Sequence, residues 1–187
     1  MYSKEGQQME KYIALLRGIN VGGKNKISMA ELKNMFEKLG FFDVSSYINS
    51  GNIIFSSNDI DEEELIRKCR SEIAKQFKLD ISVTVISAKD LSEALENAPA
   101  WWDSDSQSKH NAIFVIPPAV AEDIIENVGA AKTEYEQVGV YGQVIFWSAP
   151  IVTFSKTRWS KVVSSDAYGS ITIRNANTAK KLLQLSK

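Results

Sequence analysis

The chain is poor in the residues that most often carry chemistry, with one cysteine and one histidine among 187 residues. A single Cys excludes an internal disulfide framework and fits a reducing compartment, so a cytoplasmic setting is expected. Cys69 falls in line with Leu65, Ile73 and Phe77 at helical spacing, which makes it a core residue rather than a nucleophile. With Cys69 buried and His110 the lone imidazole, no ordinary zinc site can be assembled, and no metal is expected. A Ser-His-Asp hydrolase would have to use His110, and no G-x-S-x-G context accompanies it. No apolar run approaches the roughly 20 residues that cross a bilayer, so no membrane partner is expected. The first ten residues lack the apolar stretch of a secretory signal and read as a disordered start or an expression remnant.

What remains is an ordinary globular composition, 44% hydrophobic and 24% charged, long enough for one large domain or two small ones. The net charge of −1 argues against a general polyanion sponge, but its distribution is uneven. Residues 1–58 carry seven basic and five acidic side chains, residues 59–136 eight and seventeen, and residues 137–187 seven and one. A basic end on an acidic body steers an anion to one face over about a Debye length, ~8 Å. The competing reading is that the acidic middle and basic end attract one another.

The pattern predicts a βαββαβ order. Residues 11–17 read as a buried strand. Ser28 and Glu31 form a capping box ahead of a helix carrying Met29, Leu32, Phe36 and Leu39, stopped at Gly40. Strands 44–48 and 52–57 flank Ser50-Gly51, a helix over 61–77 follows, and 81–85 alternates as a half-buried strand. Ser87 is expected to cap a further short helix. A polar linker over 98–110 separates residues 11–97 from a second unit, 111–187, with strands at 112–116, 136–140, 144–147 and 170–173. That unit is expected to have a helix starting near Pro117-Pro118, a basic helix over 157–163 and a final helix from Asn175. The expected fold is therefore α+β, two ferredoxin-like subdomains arising by internal duplication. Trp101-Trp102 is expected to seal the joint between them, the alternative being a surface that stacks a base or ring.

Three polar clusters interrupt this framework. The first is Arg17, Gly18, Asn20, Gly22, Gly23 and Lys24, where glycines offer backbone N–H groups to an anion and Lys supplies charge. Gly18 to Lys24 formally matches G-x-x-x-x-G-K, but Asn25 replaces the Ser or Thr that holds magnesium. The helix also starts too late and the strand order is antiparallel-rich. A P-loop nucleotidase is rejected and no cofactor is expected; a looser anion site remains, against a merely solvated loop. The second cluster is the hairpin around Asn49, Ser50, Gly51 and Asn52, for which ordinary turn chemistry also suffices. The third is Arg158, Ser160 and Lys161, followed by Arg174, Asn175, Asn177 and Thr178. There, Arg forks and hydroxyls suit phosphate, while a solvated basic helix and an ordinary cap are the competing and slightly favoured reading.

The segments LLRGINVGGKNKISMAELK, YINSGNIIF, SKTRWSK and TIRNANT together resemble the bacterial domain-of-unknown-function family 1697, over the chain from about Tyr12 onward. The resemblance implies two ferredoxin-like subdomains and no settled activity. It singles out Arg17, Gly18, Asn20, Gly22, Gly23, Lys24, Ser50, Gly51, Asn52, Ser160, Lys161, Arg174, Asn175, Asn177 and Thr178, and departs from the family pattern at Trp159 and Ala176.

The expected function is a binding module for a phosphorylated or otherwise anionic ligand, a nucleotide, sugar phosphate or nucleic acid, at a cleft between subdomains. There, Arg17 and Lys24 would face Arg174 or Arg158. One alternative is an enzyme acting on a phosphate or acyl ester with Lys24, Ser50 or Arg158 in reactive roles, although the candidate loops lack a general base. The other is a regulatory module for a protein partner.

Overall fold

The computed structural model describes residues 9–59 and 61–187. The start expected over residues 1–10 lies outside them except for Met9 and Glu10, and Glu10 already opens the first strand. The chain forms two compact units, one running up to Asp90 and including Leu182–Lys187, the other Leu91–Lys181. Each holds a four-stranded antiparallel sheet with helices.

In the first unit, β1 (Glu10–Leu16), β2 (Phe42–Ser46), β3 (Asn52–Ser57) and β4 (Val83–Ser87) lie in the order β2-β3-β1-β4. β1 is central because its five residues 12–16 are all apolar and buried, pairing Ile13 with Ile54 on one side and Ile86 on the other. Helix α1 (Met29–Lys38) starts where predicted, with Ser28 Oγ accepting from the Glu31 N–H. Helix α2 (Glu62–Phe77) is capped by Asp61, whose Oδ1 accepts from the N–H groups of Glu63 and Glu64 at 3.0 and 3.3 Å. The apolar faces of both helices bury Leu32, Phe36, Leu65, Cys69 and Ile73 against Tyr12, Ile53 and Phe55 of the sheet. Each such side chain contributes about 1.5–3 kcal/mol by leaving water. Burial pushes the Cys69 thiol up to about 12, as expected of a core cysteine.

Strand β2 lies two residues earlier than expected. Its bulge falls between Phe42 and Ser45, and Ile48, read as a strand residue, instead takes a left-handed φ of 50° in the turn. Helix α3 (Ala88–Glu96) follows β4, with Ser87 Oγ accepting from the Asp90 N–H.

The second unit places β5 (Ser108–Val115), β6 (Gln137–Tyr141), β7 (Val144–Pro150) and β8 (Ile171–Asn175) in the order β6-β7-β5-β8. β5 starts four residues ahead of the expected Ala112, because buried His110 continues the inward alternation. Helix α4 (Ala121–Val128) begins beyond Pro117-Pro118, not on them, since a residue preceding proline is held extended. Its first N–H, on Ala121, is taken by Gln143 Oε1 at 3.0 Å. The basic helix expected over 157–163 is absent. Three 3-10 segments, Ile151–Lys156, Trp159–Ser164 and Asp166–Ser170, occupy that stretch. Ser and β-branched residues there make poor α-helix, and a buried anchor described below sets their path. Helix α5 (Ala176–Leu185) closes the chain. Among the described residues, no helix is long and apolar enough to cross a membrane.

Candidate functional site

In the first unit, the loop after β1 and the β2-β3 hairpin meet at one end of the sheet. Arg17 leaves the strand with its N–H on the Ser82 carbonyl at 2.9 Å. The chain then turns through left-handed conformations at Gly18, Asn20, Gly22, Gly23 and Asn25. Asn is the side-chain-bearing residue that tolerates these torsions best. Val21 to Lys24 form a tight turn, Lys24 N–H to Val21 O at 3.1 Å, and the Asn20 N–H reaches the Asn25 carbonyl at 3.2 Å. Buried Ile19 and Ile27 pin both ends of the loop in the core.

Asn20 fastens this loop to the hairpin. Its Oδ1 accepts from the Ile27 N–H at 2.9 Å, and its Nδ2 donates to the Ile27 carbonyl at 2.9 Å and the Asn49 carbonyl at 3.0 Å. On the hairpin side, Asn52 is fully buried and donates to the Tyr47 carbonyl and Ser50 Oγ, both at 3.0 Å. Gly51 passes its carbonyl to the Leu16 N–H at 2.8 Å. A Cβ on Gly51 would stand 2.8 Å from Leu16 Cβ and 2.9 Å from Ile19 Cγ1, at a φ of +81°. Only glycine lets the hairpin approach β1 this closely.

The first two clusters are thereby brought together. Asn20 and Asn49, with Gly23, Lys26, Ile27, Ser28 and Met29, line a shallow recess of about 420 Å³. The lining has one lysine and no carboxylate. Ser28, the cap of α1, sets the positive end of that helix at its edge. Lys24 is exposed on the same loop, while Gly18, Gly22, Ser50, Gly51 and Asn52 shape the loop and hairpin without lining the recess. α1 begins five residues after Lys24, too far for the P-loop arrangement.

The third cluster falls in the second unit and is organised differently. Its backbone donors are held by Glu136, which sequence reading did not single out. This carboxylate is 2% exposed and accepts from the N–H groups of Lys132 (3.0 Å), Arg158 (2.7 Å) and Trp159 (3.0 Å), and from Trp147 Nε1 (3.1 Å). Trp159 is completely buried and donates its indole N–H to the Gly129 carbonyl at 3.2 Å. Arg158 and Lys161 are exposed. Arg174 is buried, with Nη1 donating to Thr172 Oγ1 and the Ile173 carbonyl, both at 2.9 Å, and burial draws its pKa down to about 10. Asn175 caps α5, its Oδ1 accepting from the Thr178 N–H at 2.8 Å, while Asn177 is exposed. Trp102 packs edge-on to Phe146 and donates to the Asn111 carbonyl. Among the described residues, no three His, Cys, Asp or Glu side chains gather to hold a metal ion.

Fold and site together define an α+β protein built of two four-stranded antiparallel sheets, each with its helices. The chain belongs to the family described as protein of unknown function DUF1697, whose model matches residues 9–146. That range takes in the first two clusters and ends before the third. A solved structure described as a conserved bacterial protein from Streptococcus pneumoniae is similar to it, with 37% identity and a TM-score of 0.87. The similarity covers 96% of this chain and all of that one. No curated protein matches the sequence.

Proposed function

We propose that the chain is a binding module for a phosphorylated or otherwise anionic ligand (a nucleotide, sugar phosphate or nucleic acid), received by the recess of the first unit. The observation that carries this reading is the Asn20 tie. It holds the glycine-rich loop, the hairpin and the start of α1 at one sheet end, around a lining with a lysine and no carboxylate. The arrangement supports anion binding because oriented N–H groups, a helix N-terminus and ammonium groups all favour negative charge. Lys24 and Lys26 supply the charge; Asn20 and Ser28 shape the recess. The second unit's Glu136 already occupies the donors at Arg158 and Trp159, which favours the first unit as the place of binding. The shared strand order of the two sheets, with the first and third strands adjacent and the fourth beside the first, supports a duplicated ferredoxin-like architecture. The buried lone cysteine suits a cytoplasmic setting.

The reading is tested by thermal shift with inorganic phosphate, ATP, ribose 5-phosphate and a short RNA, at low and high salt. A ligand at 100 times its Kd adds about 2.7 kcal/mol, several degrees for a chain of this size. The shift is expected with at least one of these probes and should disappear in Lys24→Ala/Lys26→Ala. A flat response across the panel rejects the anion site and favours a protein partner.

A further inference from the structure

A second, larger cleft of about 730 Å³ opens in the second unit, independent of the loop just described. Its walls are the 103–111 segment and the start of α5. Hydrogen bonds fix those walls before any ligand arrives. His110 is buried between two partners. One ring nitrogen, Nε2, lies 2.9 Å from the Asp105 carbonyl, and the other, Nδ1, 2.6 Å from Ser148 Oγ. A carbonyl only accepts, so Nε2 carries the proton and the Ser148 hydroxyl donates to Nδ1 in the neutral ring. The Gln107 N–H donates to Asp105 Oδ1 at 2.7 Å, Asp103 pairs with Lys180, and Asn175 is held as the α5 cap. Trp102 Nε1 fixes the Asn111 backbone at 2.9 Å.

The charges at this cleft are already engaged within the protein. Asp103 pairs with Lys180, Asp105 Oδ2 lies 3.7 Å from His110 Nε2, and the Lys109 ammonium lies over the Phe154 ring at 4.1 Å. A net charge on a ligand therefore gains little from the lining. The rest consists of amides at Asn111, Asn175 and Asn177 and the hydroxyls of three serines, groups that donate and accept in similar measure. Their complement is a molecule whose groups also do both. The volume is that of a small-molecule site.

We infer that this cleft binds a small, neutral, hydroxyl-rich ligand of the carbohydrate class. Amides and carboxylates beside one another address neighbouring sugar hydroxyls, and a lining that pairs hydroxyls rejects molecules without them.

The test follows the side-chain amide resonances of the full chain by NMR during titration with neutral mono- and disaccharides, their phosphorylated forms and inorganic phosphate. At least one neutral sugar is expected to shift Asn111, Asn175 and Asn177 saturably, and its phosphate ester to bind no tighter. The exposed Asn177→Leu variant, with an unchanged thermal midpoint, should bind that sugar about tenfold more weakly, equivalent to ~1.4 kcal/mol. The inference is overturned by the absence of saturable shifts at these amides with every sugar. It is equally overturned if inorganic phosphate alone shifts them, or if Asn177→Leu binds unchanged. None of these results bears on the lysine loop, whose own variants decide that reading.

Discussion

The side chain of Asn20 donates to the backbone carbonyl of Asn49, 3.0 Å away across 29 residues of sequence. This bond joins a loop and a hairpin that each look like ordinary turn chemistry on their own. Replacing Asn20 by Ala removes it together with both bonds to Ile27. The expected cost is about 1–3 kcal/mol, because partly buried backbone groups lose their partner. Urea unfolding measures it. Amide exchange should quicken over 18–27 and 47–52 while β5–β8 stay protected.

Gly51→Ala is expected to cost more than an exposed turn substitution does. The added methyl meets Leu16 and Ile19 below 3.0 Å in a torsion that disfavours side chains. A fall in thermal midpoint of several degrees is the predicted reading, whereas Gly142→Ala, with open space around it, should cost only its torsional strain.

In the second unit, Glu136 takes the place that a helix cap would have. Glu136→Ala leaves four N–H donors without their acceptor, three of them on the backbone. Loss of protection over 157–165 and a marked drop in stability are expected. Trp159→Ala empties the largest fully buried side-chain position, at about 3–5 kcal/mol. Preserved stability in either variant would contradict the anchoring role given to Glu136 and Trp159.

Much of this architecture was legible in the sequence, for identifiable reasons. The Ser28 cap, the acidic start of α2 and the apolar run of β1 are local signals, and the structure follows them. The 3-10 path over 151–170 was not legible, because Glu136, 22 residues before Arg158 in the chain, acts on it only through tertiary contact. The same holds for α4, whose first N–H is satisfied by Gln143 from the β6-β7 turn. At the candidate site, the residue types were legible but their meeting was not. Asn49 lay within a recognisable turn, and nothing local told that its carbonyl faces Asn20.

Glu62 should shape the pH dependence of stability. Burial, against the opposing Ser87 N–H bond at 2.8 Å, raises its carboxyl above the ordinary range, with Asp90, Asp61 and Glu10 adding to the effect. A raised folded value means that the native state disfavours the ionised form. Its destabilising contribution is therefore present above the folded pKa and fades as pH falls towards the ordinary carboxylate range, ~4.3. Glu62→Gln keeps an acceptor for Ser87. The difference in thermal midpoint between variant and parent should move in the variant's favour from pH 4 to pH 8, as scanning calorimetry would show.

Cys69 provides a check on the core of the first unit. Its thiol is fully buried and pushed up to about 12, so it should not react with iodoacetamide in the native state at pH 8. Stoichiometric alkylation is expected once the chain is unfolded in urea.

The proposed function turns on charge at the loop after β1. The most direct measurement is a calorimetric titration of the intact protein with ATP and inorganic phosphate, repeated on Lys24→Ala/Lys26→Ala at matched stability. The account predicts saturable binding that weakens with salt and is lost in the double variant. Saturable binding that survives the loss of both lysines, or no binding of either probe, would contradict it.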